Sequence, residues 1–155
     1  MKLRIEISEA CTEDEVVIRC SSINETIQKI QAAIQSTAAP KLTFYKENQE
    51  FYMALSEILF FETEGEQVYA HTCADAFRVR HRLYELEALL SLAFIRIAKG
   101  TIVNTMHIYA IDRNLTASSR IRFLGTHKHV YVSRHYYKAL KERIQERGVR
   151  NENKS

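Results

Sequence analysis

Histidine and acidic side chains are the first candidates for chemistry in this sequence. Of the six histidines, His127 and His129 alternate so that two imidazoles would lie on one side of a strand. No cysteine or carboxylate stands at ligand spacing to complete a zinc site with them. Glu62, Glu64 and Glu66 could supply paired carboxylates, but a solvated acidic turn is the simpler interpretation. The sequence has no phosphate-binding glycine loop and no nucleophile signature, so we expect no enzyme, no metal and no cofactor.

A second signal is the uneven distribution of charge. Residues 1–66 hold 12 acidic and 6 basic side chains, whereas residues 67–155 hold 7 acidic and 16 basic ones. The net charge of +3 therefore hides an acidic first part and a basic second part. A basic part is a candidate for binding a polyanion such as nucleic acid, although a basic segment is often only solvated surface.

Length and composition restrict the class of protein. The 155 residues suffice for one hydrophobic core with a small appendage. The longest uncharged apolar run, residues 88–95, falls short of the roughly 20 residues that span a bilayer. The N-terminus resembles no signal peptide, so we expect a cytoplasmic protein. Cys11, Cys20 and Cys73 form no paired motif, which favours reduced thiols over disulfides or a zinc knuckle.

The first 40 residues predict a small β-β-α unit. Residues 2–8 and 16–20 alternate apolar and polar side chains, which predicts two half-buried strands. Ser22 and Glu25 then have the spacing of a capping box at the start of an amphipathic helix that ends near Thr37. We expect this unit to serve dimerisation or partner contact, since it concentrates no chemistry of its own.

Residues 41–148 predict a mainly β domain with short helices. Polar turns separate short β-branched or aromatic segments, as in antiparallel sheets. A helix is expected from about Val79 to Leu90, and a last helix from Ser133, a predicted N-cap, until Gly148 stops it. Residues 149–155 are predicted to fray. The expected strands are 42–44, 51–53, 58–61, 68–71, 94–97, 108–111, 121–123 and 130–132.

Three segments of this domain stand together in a recognisable order. They are ILFFETEGEQVY at 58–69, FIRIAKGTIVN at 94–104 and VYVSRHYY at 130–137. In order and spacing they resemble the LytTR family of DNA-binding domains, over about residues 42–147. The family commonly has His where this chain has Ala98 and Ser where it has Gly100, so this chain lacks the side chains that could form hydrogen bonds at those two positions. The resemblance implies an elongated stack of small antiparallel sheets, with loops that enter successive major grooves on one face of duplex DNA.

The resemblance also implies the residues that would contact DNA. They are Gln67 or its neighbour Glu66 in the first loop, Lys99 in the second and Arg134 after the last strand. Arginine is suited to guanine, because two parallel N–H groups reach O6 and N7. Lysine is a point charge better suited to a phosphate or a looser contact. Residues expected to position the DNA backbone are Lys128, Tyr136, Tyr137 and Lys138.

Two neighbouring polar residues receive structural interpretations. Arg96 alternates with Ile95 and Ile97, so we predict a surface or ion-pairing residue on a strand and not a base reader. Asn104 is predicted to satisfy a turn through its side chain.

The resemblance leaves two functional hypotheses open. The first is a sequence-specific transcription regulator that binds repeated DNA elements as a homodimer, without a receiver domain and with no small-molecule substrate. The family resemblance further implies control by a membrane protein encoded alongside. The second is a protein or RNA interaction module of the same fold that keeps only non-specific affinity for polyanions.

Overall fold

The computed structural model describes residues 16–38 and 40–152, with side chains for 16–34 and 40–147. Its contacts divide the chain into two compact units, residues 1–38 and 39–155. No helix within the described residues is both long and apolar enough to cross a membrane.

In the described part of the first unit, residues 16–24 are irregular and one helix follows, α1 (Glu25–Ala38). Its N-cap is Asn24, because the Ile27 N–H donates to Asn24 Oδ1 at 3.0 Å, so the prediction that placed the cap at Ser22 is wrong. The strand predicted at 16–20 is also wrong, since those residues are irregular and exposed. The strand predicted at 2–8 lies outside the described residues.

The second unit is mainly β, as predicted, with antiparallel strands in two sheets. The larger sheet has the order β2-β1-β5-β4-β3-β7-β6, and the smaller has the order β10-β9-β8. The elements are β1 (Phe44–Lys46), β2 (Gln49–Phe51), β3 (Phe60–Glu64), β4 (Gln67–His71), β5 (Ala76–Val79), α2 (Leu83–Leu89), β6 (Phe94–Ala98), β7 (Thr101–Asn104), β8 (Ile108–Asp112), β9 (Ser119–Phe123), β10 (His129–Val132) and α3 (Arg134–Glu152).

The larger sheet is buried on both faces at its centre. Neighbouring residues of a strand point to opposite faces, and both Phe60 and Phe61 are buried. Phe61 packs into a core with Leu86 of α2, whereas Phe60 packs into a second core with Phe123 of the smaller sheet and Leu140 of α3. Burial on both faces explains the continuous apolar run at 58–61.

Two predicted helix boundaries need correction, the start of α2 and the end of α3. The segment expected to begin a helix at Val79 is strand β5, in which Phe77 and Val79 are buried and Arg78 is exposed. Helix α2 starts only after Arg82, whose N–H donates to the Glu85 carboxylate at 2.7 Å. Helix α3 continues through Gly148 to Glu152, because a helical glycine costs only about 1 kcal/mol and need not end a helix.

Candidate nucleic-acid interface

The turn between β3 and β4 presents the first pair of candidate residues. Glu64 pairs with Gln67 across the hairpin, so Gly65 and Glu66 form a two-residue turn. Gly65 has φ +61°, a conformation that glycine adopts without strain. Glu66 and Gln67 are both exposed, and the hairpin holds their side chains at the edge of the sheet.

The turn between β6 and β7 presents Lys99. Ala98 pairs with Thr101, which leaves Lys99 and Gly100 as the turn, and Lys99 is exposed. The Arg96 guanidinium holds this turn from beneath by donating to the carbonyls of Ala98, at 3.2 Å, and Lys99. It also forms an ion pair with Glu87 at 2.8 Å, which confirms the prediction of an ion-pairing strand residue.

The junction of β10 and α3 presents Arg134. The Ser133 N–H donates to the Ile97 carbonyl at 2.9 Å and fixes the junction beside β6. The Tyr136 N–H donates to the Ser133 carbonyl at 3.1 Å, so the helix begins at Arg134, as the predicted N-cap requires. Arg134 is exposed, and no carboxylate of the described residues forms an ion pair with its guanidinium.

These three segments lie at one edge of the domain. Strand β3 pairs with β7 so that Glu62 faces Thr101, which brings the ends that carry both turns together. The Thr63 N–H donates to the Gly100 carbonyl at 2.9 Å and ties one turn to the other strand. The hydrogen bond from Ser133 to Ile97 brings the β10–α3 junction to the same end of the sheet. We call this edge the turn edge: residues 65–67, 99–100 and 133–134, with the β8–β9 loop at 113–118 introduced below.

The width of the turn edge can be compared with DNA. From β4 through β3, β7 and β6 to β10 there are four steps of about 4.8 Å, or about 19 Å. The major groove of B-DNA is about 12 Å wide. The turn edge is therefore wide enough to fill one groove and reach the sugar-phosphate backbone beside it.

Lys128 lies elsewhere. It belongs to the turn between β9 and β10, which is at the opposite end of the smaller sheet from the pair formed by Ser119 and Val132. Its ammonium donates to the carbonyls of Thr72, at 2.9 Å, and Asp75, at 2.6 Å. Burial lowers the pKa of Lys128. The Lys128 ammonium therefore forms hydrogen bonds within the fold. Its expected contact with DNA stays a prediction that the geometry does not support.

The other positioning residues begin α3. Tyr136 and Tyr137 are partly buried against the second core, and the Arg113 guanidinium carbon lies 5.6 Å from the Tyr137 ring centre. Lys138 is exposed one turn after Arg134, so both cations emerge from the same side of the helix start. The tyrosines hold the helix in place, and the cations face solvent.

Asn104 performs the turn role that was predicted for it. Its Oδ1 accepts from the Met106 N–H at 3.1 Å, and its Nδ2 donates to the buried Ile58 carbonyl at 3.0 Å. The side chain is 2% exposed, so it is a structural residue of the core.

Two glutamates of β3 lie close to the partly buried His71 of β4. Ligand atoms of Glu62, Glu64 and His71 all lie within 4.8 Å of one another. Burial and the Glu64 charge raise the pKa of Glu62, while burial and the Lys128 charge lower the pKa of His71 to about 4. The His71 ring stacks on Phe60 at 4.3 Å between centres. The expectation that the protein binds no metal stays a prediction.

Sequence reasoning missed the loop between β8 and β9. Ser119 pairs with Val132 and Asp112 pairs with Arg120, so residues 113–118 lie at the turn edge beside Arg134. Arg113, Asn114 and Leu115 line a cavity of about 180 Å³ together with Arg134. The signal was present in the sequence, since a polar stretch between two alternating segments predicts a strand-connecting loop.

Comparison with protein families identifies this architecture. The family described as LytTr DNA-binding domain matches residues 48–145. The chain belongs to the LytTR family. The predicted resemblance is therefore confirmed, and so is the coarse expectation of a DNA-binding protein.

Relatives cover nearly the whole LytTR chain. An uncharacterized HTH-type transcriptional regulator of Staphylococcus aureus strain NCTC 8325 is 31% identical over 145 residues, covering 93% of this chain and 98% of that protein. A similarly named protein of strain MRSA252 is 30% identical over 145 residues, with the same coverage. Within the described residues of the LytTR domain, α2 and α3 are separated by five strands, so they form no helix-turn-helix.

A solved structure supports the fold. A LytTr DNA-binding domain from Bacillus cereus superposes with a TM-score of 0.63 at 21% identity and covers 68% of this chain and 98% of its own. The likeness confirms the predicted mainly β LytTR architecture.

Proposed function

We propose that this protein is a transcription regulator that binds specific sequences of duplex DNA in the major groove through its turn edge. The observation that carries the proposal is that three separate segments, at 65–67, 99–100 and 133–134, place exposed polar side chains along a single edge. In the sequence these residues are up to 69 positions apart. A regulator of this kind acts on chromosomal DNA, so the proposal includes a cytoplasmic location.

Each side chain has a role that follows from its chemistry. The Arg134 guanidinium reads guanine through O6 and N7. The Gln67 amide pairs with adenine, or Glu66 accepts a hydrogen bond from the amino group of cytosine. Lys99 binds a phosphate or makes a looser base contact.

The start of α3 supports the DNA backbone beside Arg134. A helix start leaves its first N–H groups without intrahelical partners, and these groups and the macrodipole both favour a phosphate. Lys138 adds a cation on the same side, while the half-buried rings of Tyr136 and Tyr137 hold the helix at the required angle. These contacts position the protein without reading sequence.

The test begins with selection of duplexes from a random pool by the wild-type protein. Affinity for the enriched duplex and for a scrambled version is then measured for wild type, Arg134→Ala and Lys141→Ala. Lys141 is a matched control because it is exposed on the same helix but about 10 Å further from its start.

We expect Arg134→Ala to lose discrimination between the two duplexes by about 10- to 100-fold, which corresponds to the value of a bidentate guanine contact. Lys141→Ala should weaken both duplexes slightly and equally. Failure to enrich any sequence, or equal loss on both duplexes for Arg134→Ala, would favour the non-specific interaction module instead.

Homodimerisation through the first unit is part of the proposal. Among its described residues, Val16, Val17 and Ile23 are 64, 61 and 64% exposed, and such apolar side chains suit a second copy of the unit. We expect Val17→Asp with Ile23→Asp to convert a dimer to a monomer in sedimentation velocity. An unchanged sedimentation coefficient would contradict this role. Control by a membrane protein stays a prediction of the family resemblance.

A further inference from the structure

The β8–β9 loop joins the turn edge next to Arg134. Antiparallel pairing sets Ser119 opposite Val132, the residue two before Arg134. Leu115 and Arg134 line the same cavity of about 180 Å³. The tip of this loop therefore lies beside Arg134.

Hydrogen bonds between its own polar groups constrain the loop. The Asn114 N–H donates to Ser119 Oγ at 3.0 Å, and Ser119 is 3% exposed. Asn114 Oδ1 accepts from the N–H and from the hydroxyl of Thr116, both at 3.1 Å. This Asx-type turn fixes the backbone on either side of Leu115. The loop can therefore present one side chain without a large loss of conformational entropy on binding.

The side chain that the loop presents is apolar. Leu115 is 75% exposed and belongs to neither core. A single exposed leucine by itself needs no explanation. A rigidly presented leucine beside a guanidinium at a DNA-binding edge has a specific partner in the major groove, the C5 methyl group of thymine, because that methyl is the apolar group of the base edges there.

We propose that Leu115 contacts the C5 methyl of a thymine next to the base pair read by Arg134, and so selects thymine at that position. This inference rests on the proposed function. Arg134 then contacts the hydrogen-bonding atoms of one base pair, and Leu115 contacts the apolar methyl group of the next. Burial of one methyl group is worth about fourfold in a binding constant.

The test uses deoxyuridine, which lacks the methyl group but keeps the hydrogen-bonding edges of thymine. Each thymine of a duplex enriched by the wild-type protein is replaced in turn, and affinity is measured for wild type, Leu115→Ala and Leu124→Ala. Leu124 is a matched control, because it is 71% exposed in the β9–β10 turn at the opposite end of the smaller sheet.

We expect wild type and Leu124→Ala to lose about fourfold at one thymine, and Leu115→Ala to lose nothing there. Thermal unfolding of the three proteins should coincide, because neither leucine is packed. Equal sensitivity to deoxyuridine in wild type and Leu115→Ala, or no sensitive thymine at all, would overturn the inference. An Arg134→Ala variant that still discriminates the enriched duplex would instead count against the proposed function, so the two failures are distinguishable.

Discussion

Replacement of Lys128 by Met should destabilise the fold and leave DNA binding intact. The ammonium donates to the carbonyls of Thr72 and Asp75, and methionine removes both donors while keeping much of the apolar stem. An acceptor that loses its donor costs about 1–3 kcal/mol when buried. Because Lys128 is only partly buried and water can replace part of each bond, about 1 kcal/mol for each carbonyl is appropriate, or about 2 kcal/mol in all.

Lys138→Met is the reciprocal control. Lys138 is exposed one helical turn after Arg134 of the turn edge, so its loss should leave stability unchanged and weaken binding to any duplex. Urea unfolding followed by circular dichroism should show the 2 kcal/mol loss for Lys128→Met alone, with a fall in Tm of roughly 6–10 °C. The reasoning would be refuted if Lys128→Met unfolded like the wild type and lost DNA affinity as Lys138→Met does.

Three further outcomes follow from buried and exposed polar groups. Asn104→Ala should lower the free energy of unfolding by about 2–4 kcal/mol, because two hydrogen bonds vanish from a buried site; an equal urea midpoint would contradict this. The pKa of His71 is lowered to about 4 in the folded state, so its contribution to stability is complete above its unfolded value near 6.5 and is lost as pH falls towards 4. Unfolding at pH 5 should therefore be easier than at pH 8 by about 2 kcal/mol, and His71→Phe should remove that difference; an unchanged pH profile in the variant would show that another group is responsible. The logarithm of the DNA-binding constant should fall with the logarithm of salt concentration with a slope of about −3 to −4, as expected for about four cations, namely the three of the turn edge and Lys138. A slope of −8 or steeper would show that far more cations contact phosphate.

Many strands of the LytTR domain could be predicted because the alternation of apolar residues in the sequence matches the faces that are buried. Segments such as 121–123 and 130–132 alternate in sequence and pack one face into the second core, so the period of two was sufficient. Strand β7 is the opposite case. All four of its residues are buried because both sheet faces are covered there, and a short run without alternation carries no period to detect.

The first unit shows where local patterns mislead. Residues 16–20 alternate as a strand would, yet they are irregular and exposed in the structure. Strand formation needs a hydrogen-bonding partner, and alternation alone does not supply one. The predicted N-cap was only two residues away from the observed one. Serine and asparagine both favour the N-cap position, and only the observed hydrogen bond from Ile27 to Asn24 decides between Ser22 and Asn24.

The residues of the turn edge could be predicted only from their positions in the motifs of the LytTR family. Lys99, Gln67 and Arg134 are each ordinary polar residues at strand ends, and their convergence depends on the register of β3 with β7 and on the bond from Ser133 to Ile97. The β8–β9 loop lay outside the three recognised segments. Its place beside Arg134 follows from the pairing of β9 with β10, which a single sequence does not reveal.

Charge count is a poor guide to the interface for a related physical reason. Within the described residues of the basic part, several cations satisfy backbone carbonyls: Arg96 holds the β6–β7 turn, Arg143 donates to Leu92 at 2.6 Å and Arg147 donates to Thr105. Such groups add to the net charge of the sequence, but their N–H groups already donate to backbone carbonyls of the fold. Without these donors, the carbonyls would lack hydrogen-bond partners.

The surface of β9 shows the same effect through ion pairing. Arg120 and Arg122 share the Asp112 carboxylate at 2.8 and 3.1 Å, and the two guanidinium groups lower the pKa of Asp112. Cations with a carboxylate partner release fewer counterions when they meet phosphate, because part of their charge is already balanced. The specific binding proposed for this domain would then depend on a small number of side chains at the turn edge. Loss of Arg134 alone should accordingly cost more discrimination than loss of several cations elsewhere.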